Sequence, residues 1–395
     1  MRKFQTTVMG VLAAASLGGA GLAQTNPAIP PPAATKSKSW TDVITVKADG
    51  RLRFETINDD SKKDSAGNTY TRDRFRIRAR VGAEGVVKNL KGGVRLSTGG
   101  ADPVSGNQTL GDGDIKKEMR LELAYIEYAL FAEESYELTA VGGKMNNPLL
   151  MFPDDLLWDS DLTPEGAAFK ARIGDDSLAL LLKGEGVVVQ ERNDKNNAYM
   201  LGAQAAFKVK VVPEFGFTVG GTYLAYQNLE GYDVIDWEGK NNSYGNSTKT
   251  GSISGGTTNK AWACEFTPLM GFAQVDVWIG FPVSLYGQYL TNPKADSDNK
   301  GYMGGITLGK AKNPQTFELG YSYAELQKDA TVGMWTDSDR WGGGTDGKGH
   351  KFYGKYQILK NLQGGVTFFL DDKKISNAKQ TTDYNRLQVD LAASF

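Results

Sequence analysis

The segment Arg72 to Ala83, RDRFRIRARVGA, admits few folds. Arg74, Arg76, Arg78 and Arg80 alternate with Phe75, Ile77, Ala79 and Val81. Wound as a helix, this run spreads guanidinium groups around the whole cylinder. As a strand it places every arginine on one face and every apolar residue on the other, because successive strand side chains point to opposite sides of a sheet. The preceding segment, Lys47 to Thr56, repeats the arrangement. Ala48, Gly50, Leu52 and Phe54 share one face, and Lys47, Asp49, Arg51, Arg53 and Glu55 share the other. One such strand also suits a soluble sandwich with a wetted outer face.

The alternation persists along the chain, and that narrows the choice. Phe317, Leu319, Tyr321 and Tyr323 alternate with Glu318, Gly320, Ser322 and Ala324, and Val283, Leu285, Gly287 and Tyr289 with Ser284, Tyr286 and Gln288. Around Met119 to Tyr128 the phase slips, with Leu121 and Leu123 on one count and Ile126 and Tyr128 on the other. A β-bulge explains such a slip. Turn signals such as Lys91-Gly92-Gly93, Asn146-Asn147-Pro148 and Asn292-Pro293 separate the runs. The count is about 16 strands (16–18), most near the 9–11 residues that cross a bilayer when tilted. No useful stretch of amphipathic helical periodicity follows the first residues.

Those first residues read as an address. Met1-Arg2-Lys3 is a positive start, VMGVLAAASL from Val8 to Leu17 is a short apolar run, and Gly21-Leu22-Ala23 offers small residues for cleavage. Residues 1–23 are expected to be a secretory signal peptide. The rival, a membrane-spanning helix, needs about 20 apolar residues. Residues 24–42 are rich in Pro, Ala and Ser and read as a periplasmic linker, which leaves 43–395 as the folded unit.

Composition excludes several classes of function. Lys+Arg number 45 against 46 Asp+Glu, so no global field invites nucleic acid. A single cysteine, Cys264, rules out an intrachain disulfide or a multi-cysteine zinc site. A single histidine, His350, leaves little for acid–base chemistry. It follows GKG at a strand start, where an interfacial position is the simpler reading than a base for a serine nucleophile. Cys264 in KAWACEF shares a face with Trp262 and Phe266 and reads as a lipid-facing or buried thiol. No catalytic residue, metal or cofactor is expected.

A chain of alternating strands can be a sandwich, a propeller or a membrane barrel. No blade-length repeat is visible. Tyr70, Tyr125, Tyr128, Tyr223, Tyr226, Tyr289 and Tyr302 lie near strand ends, as in the aromatic girdles of outer-membrane barrels. The final segment, YNRLQVDLAASF, sets Leu387, Val389, Leu391, Ala393 and Phe395 against Arg386, Gln388, Asp390, Ala392 and Ser394. An amphipathic strand ending in Phe resembles the C-terminal signature of bacterial outer-membrane proteins. That likeness implies that Phe395 is an assembly signal read by the barrel-assembly machinery.

Three further blocks carry a resemblance to the bacterial outer-membrane putative porin family: RLRFET (Arg51 to Thr56), RDRFRIRARVGAE (Arg72 to Glu84) and GGKMNNPLLMFPDDLLWDSDLTPEGAAFKA (Gly142 to Ala171). The resemblance implies a closed antiparallel transmembrane β-barrel and passive diffusion of small polar or charged solutes. It supplies no assigned functional residues. The expected partners are outer-membrane lipid and lipopolysaccharide, the assembly machinery, small polar solutes or ions and, in one possible assembly, two further copies in a homotrimer. The rival function is an envelope structural or adhesion barrel with a blocked lumen and working outer loops.

The site residues follow from charge. An arginine facing lipid at the bilayer midplane costs about 2–4 kcal/mol. Arg74, Arg76, Arg78 and Arg80 are therefore expected to line the lumen, with Lys47, Arg51, Arg53, Arg95 and Arg120 extending the basic wall. The stretch Met145 to Gly166 carries Pro148, Pro153 and Pro164, and Leu149, Leu150, Phe152, Leu156, Leu157 and Trp158. So apolar a loop should bury itself. It is expected to fold into the lumen as a constriction, with Asp154, Asp155, Asp159, Asp161 and Glu165 opposing the arginines. The alternative is an external loop packed on its neighbours or on a subunit interface. Two more long loops, Glu230 to Asn259 and Lys328 to Gly349, are expected outside, screening the mouth or simply tolerated.

Overall fold

A computed structural model describes residues 43–149, 156–192, 196–237, 239, 242–251 and 260–395. The signal peptide, the whole of the linker, Asp154 and Asp155 lie outside the described residues.

Among these residues sixteen strands form one closed sheet. They are β1 (Ile44–Lys63), β2 (Thr69–Val87), β3 (Leu90–Thr98), β4 (Met119–Ala132), β5 (Tyr136–Lys144), β6 (Glu165–Gly174), β7 (Leu178–Gln190) and β8 (Ala198–Val212). The second half comprises β9 (Phe215–Gln227), β10 (Leu269–Trp278), β11 (Pro282–Thr291), β12 (Lys300–Gly309), β13 (Phe317–Leu326), β14 (Gly347–Leu359), β15 (Leu362–Lys373) and β16 (Thr382–Ser394). Each strand pairs antiparallel with the next, and β16 returns to β1, where Arg53 faces Asp390 and Leu52 faces Leu391. Ala48 and Phe395 exchange backbone hydrogen bonds at that seam, at 3.3 and 2.8 Å. Closure is what lets strands stand in lipid, since an open edge would leave backbone groups unpaired there.

The alternation read from the sequence becomes two faces. Leu52, Phe75, Leu285 and Leu319 are exposed on the outer wall, while their neighbours Arg53, Glu55, Gln288 and Ser322 are buried inside. The slip in β4 is a bulge: Arg95 pairs with Leu123 and Leu96 with Leu121, leaving Glu122 as the extra residue. Tyr128, Tyr223, Tyr289 and Tyr302 are exposed, as girdle residues would be. Tyr125 and Tyr226 are not. Both are buried in the interior, because their registers place them on the inward side of the pleat.

Turns at one end are short, as at 88–89, 213–214 and 360–361, whereas the other end carries loops 99–118, 145–164, 228–268 and 327–346. Short turns mark the periplasmic end and long loops the outside. The long loops do not simply stand above the mouth. The largest buried cluster lies within the barrel. It joins Leu149, Leu156, Leu157, Trp158 and Leu162 of loop 145–164 to Met334 and Trp335 of loop 327–346 and to Trp262 and Phe266 of loop 228–268. Met200, Leu224, Tyr226, Met270 and Leu290 supply the wall beneath. The expectation that 328–349 stays outside is thus corrected. Its Ala330, Val332, Met334, Trp335 and Trp341 are apolar enough to be drawn out of water. Glycine makes the close approach possible. A Cβ on Gly344, whose φ is +89°, would sit 2.3 Å from the Tyr244 carbonyl oxygen.

Candidate functional site: the charged seam inside the barrel

The register of β16, β1 and β2 sets charged side chains in rows. Opposite one another on β1 and β2 stand Asp49 and Arg80, Arg51 and Arg78, Arg53 and Arg76, and Glu55 and Arg74. Two of these four rungs place like charges face to face, which destabilises a sheet unless counter-charges intervene.

The structure supplies them from three directions. From the wall, Arg53 forks onto Asp390 with two hydrogen bonds of 2.7 Å. Glu55 takes Arg386 at 2.7 Å and also binds Arg74. Asp49 holds Arg80 at 2.9 Å, and Glu122, set free by the bulge, binds Arg95. From loop 145–164, Asp161 meets Arg78 at 3.1 Å. From loop 327–346, Asp339 reaches Arg386 at 2.9 Å and Arg53 at 3.4 Å. Arg76 lies 3.6 Å from Glu55, and Arg51 has the Asn107 side-chain oxygen at 2.7 Å. Such charge-assisted and forked contacts are strong and geometrically specific.

Seven of the nine expected basic residues gather here: Arg51, Arg53, Arg74, Arg76, Arg78, Arg80 and Arg95. Two do not. Lys47 lies near the short-turn end, exposed and paired with Glu84 at 2.6 Å. Arg120 stands exposed at the loop end of β4 with Glu118 at 3.0 Å. Distance along β1 separates Lys47 from the cluster, whereas Arg120 is level with Arg80 through Ser97 but lies two strands away.

The acidic side needs a larger correction. Of the expected carboxylates that are described, Asp159, Asp161 and Glu165, only Asp161 touches an arginine of the seam. Glu165 opens β6 and pairs with Lys144 at 2.9 Å. Asp159 turns toward loop 327–346, where it accepts the Ser338 backbone N–H at 2.9 Å, while its own N–H donates to the Trp335 carbonyl at 2.7 Å. Sequence reasoning passed over Asp49, Glu55, Glu122, Asp339 and Asp390. The polar face of β1 and of the last strand already carried Glu55, Arg386 and Asp390. Nothing in a single sequence signals Asp339, which depends on a loop turning inward.

The two inward loops are fastened together. Trp158 stacks on Trp335 with ring centroids 5.6 Å apart, and Tyr226 lies 5.6 Å from the same indole. Leu156 N–H donates to Gln288 on β11, and Gln204 on β8 donates to the Leu149 carbonyl. Loop 145–164 therefore crosses from its own strands toward β8, β11 and β2.

Asp159 makes this junction sensitive to pH. Burial, then the carboxylates of Asp337 and Asp161, push its carboxyl well above the usual range. A group shifted this way is ionised at a penalty only in the folded protein. Its contribution to stability is greatest below the ordinary carboxylate value of about 4, and it falls as pH climbs from there through the raised value. Asp339 is shifted the other way. Burial opposes its charge, but Arg386 and Arg53 outweigh that and hold its carboxyl well below the usual range. We therefore expect hydrogen-exchange protection of the Asp159 and Ser338 amides to decrease as pH rises above about 4. Protection that is constant across that range would refute the shift.

The two residues weighed for chemistry have plain surroundings. His350 Nδ1 lies 2.9 Å from the Tyr321 hydroxyl, among Tyr323 and Phe352 on the outer wall. Burial, and next the Asp329 carboxylate, push the Cys264 thiol up to about 12, away from the reactive thiolate.

Comparison with solved structures finds the same architecture. OprB of Pseudomonas putida shares 10% identity over 89% of this chain and 94% of its own, with a TM-score of 0.56. OmpF of Salmonella typhi, solved with daunomycin, shares 11% identity over 90% of this chain and 99% of its own, with a TM-score of 0.51. At such identity these show the fold. No curated protein sequence matches the chain. The family described as putative porin matches residues 27–254 and 261–395. That match spans well over half of the chain, which therefore belongs to the putative porin family of outer-membrane β-barrels.

Proposed function

We propose that the protein is a diffusion channel that passes small polar or charged solutes along the seam of Arg51, Arg53, Arg76, Arg78 and Arg386. One observation carries this reading: a closed barrel holds a row of charged side chains against two inward loops. Charged walls of low dielectric select ions and orient dipolar solutes. Family and fold point to a channel rather than an enzyme. Purified protein in planar bilayers should give discrete conductance steps.

The rival, a structural barrel with a blocked lumen, has one observation in its favour, the apolar loop cluster inside the barrel. Insertion without steps would decide for it. Export through a cleaved signal peptide (1–23), a periplasmic linker (24–42), recognition of Phe395 by the assembly machinery, contact with lipopolysaccharide and assembly as a homotrimer complete the proposal.

A further inference from the structure

We propose that the Arg53–Arg386 cradle, flanked by Arg51 and Arg76, binds the carboxylate group of a small organic acid, and that Asp339 occupies it as an internal stand-in. The inference rests on the channel reading above and names its solute class.

The cradle's two arginines are oriented from the wall. Arg53 spends Nε and Nη2 on Asp390, which leaves Nη1 toward Asp339. Arg386 spends Nε and Nη2 on Glu55, and its Nη2 also lies 2.9 Å from Asp339 Oδ1. Asp390 and Glu55 belong to strands, so register holds them in place. Asp339 belongs to loop 327–346 rather than to a strand, and its side chain can turn out of the cradle about its own torsions. It is the one carboxylate in the cradle that can leave without moving the barrel. Its side chain is 26% exposed, so the seat opens to the lumen.

Charge balance points the same way. Among the described residues the seam holds eight guanidinium groups, Arg51, Arg53, Arg74, Arg76, Arg78, Arg80, Arg95 and Arg386. Six carboxylates answer them, Asp49, Glu55, Glu122, Asp161, Asp339 and Asp390. The excess of two positive charges becomes three when Asp339 withdraws. Acceptors are short as well. The Nε atoms of Arg51, Arg76 and Arg78 are enclosed without a partner, and Arg51 has no carboxylate within 4 Å among the described residues. Buried donors without acceptors cost stability, so the cluster gains by admitting an anion.

The chemistry selects the class. The present occupant is itself a carboxylate, and guanidinium groups match planar two-oxygen anions. Glu55 and Asp390 flank the seat and repel a second negative charge on its occupant, which disfavours phosphate. An incoming acid exchanges with Asp339 by ion-pair replacement, and no covalent bond changes.

The test uses the full-length barrel folded in detergent and in planar bilayers, with acetate, propionate and inorganic phosphate as probes at constant ionic strength. Acetate and propionate should reduce the chloride current saturably, and calorimetry should show binding. Asp339→Asn keeps the loop's shape but empties the seat of charge. It should lower the half-saturating concentration of propionate roughly tenfold, a change of about 1.4 kcal/mol. Arg51→Ser should raise it. A purely structural role for Asp339 predicts no tightening. Conductance steps with no saturation by either acid, or with phosphate bound as well as propionate, would overturn the site and leave the channel standing. Calorimetric binding tightened by Asp339→Asn in a barrel without steps would uphold the site and sink the channel.

Discussion

Replacing Arg76 and Arg78 together with serine should move the reversal potential in a salt gradient toward that of a cation-preferring pore. Arg78 is the partner of Asp161 at 3.1 Å, and Arg76 lies 3.6 Å from Glu55. Removing both cancels the two-charge excess of the seam and leaves Asp161 facing the lumen uncompensated. The barrel should still assemble, because neither side chain meets lipid and the backbone ladder of β1 and β2 is untouched. The shift should be a sizeable part of the about 59 mV per tenfold gradient that perfect monovalent selectivity permits. An unchanged reversal potential would put these arginines off the conduction path.

A second large effect is expected from Trp335→Ala. The Trp335 indole is buried between Trp158 and Tyr226, and it joins the two inward loops. Truncating a buried tryptophan typically costs about 3–5 kcal/mol. Aromatic pairing adds about 0.5–1.5 kcal/mol beyond buried area. Among the described residues the polar contacts between the loops here are the Asp159 N–H on the Trp335 carbonyl and the Ser338 N–H on the Asp159 carboxylate. They are too few to hold the packing alone, so loop 327–346 should loosen and single-channel conductance should rise. The sheet should be unaffected, since Trp335 lies outside every strand. Unaltered conductance together with unaltered exchange protection in 327–346 would show that the stack does not narrow the lumen.

The period-two pattern of β1 and β2 was legible because a strand's geometry leaves each side chain only two directions. The same geometry made the bulge at Glu122 visible as a slip of phase. Tyr125 and Tyr226 went astray where position near a strand end was used instead of parity. Parity places both inside. Loop 145–164 announced its burial through Leu156, Leu157 and Trp158, which water would not tolerate. Loop 327–346 gave a weaker signal, because its apolar residues are interspersed with Asp337, Asp339, Arg340 and glycines.

By itself, then, the sequence determined a closed barrel of alternating strands, which faces the arginines take, and that a Leu- and Trp-rich loop must hide. These are local consequences of pleat, turn chemistry and hydrophobic burial. Only the tertiary structure decided which charge meets which. Arg53 and Asp390 lie 337 positions apart in the chain, and Arg386 and Glu55 lie 331 apart. They meet because the last strand closes on the first. Asp339 joins them because a loop expected outside turns in, and no spacing within one sequence records the register of a closing seam or the direction of a loop.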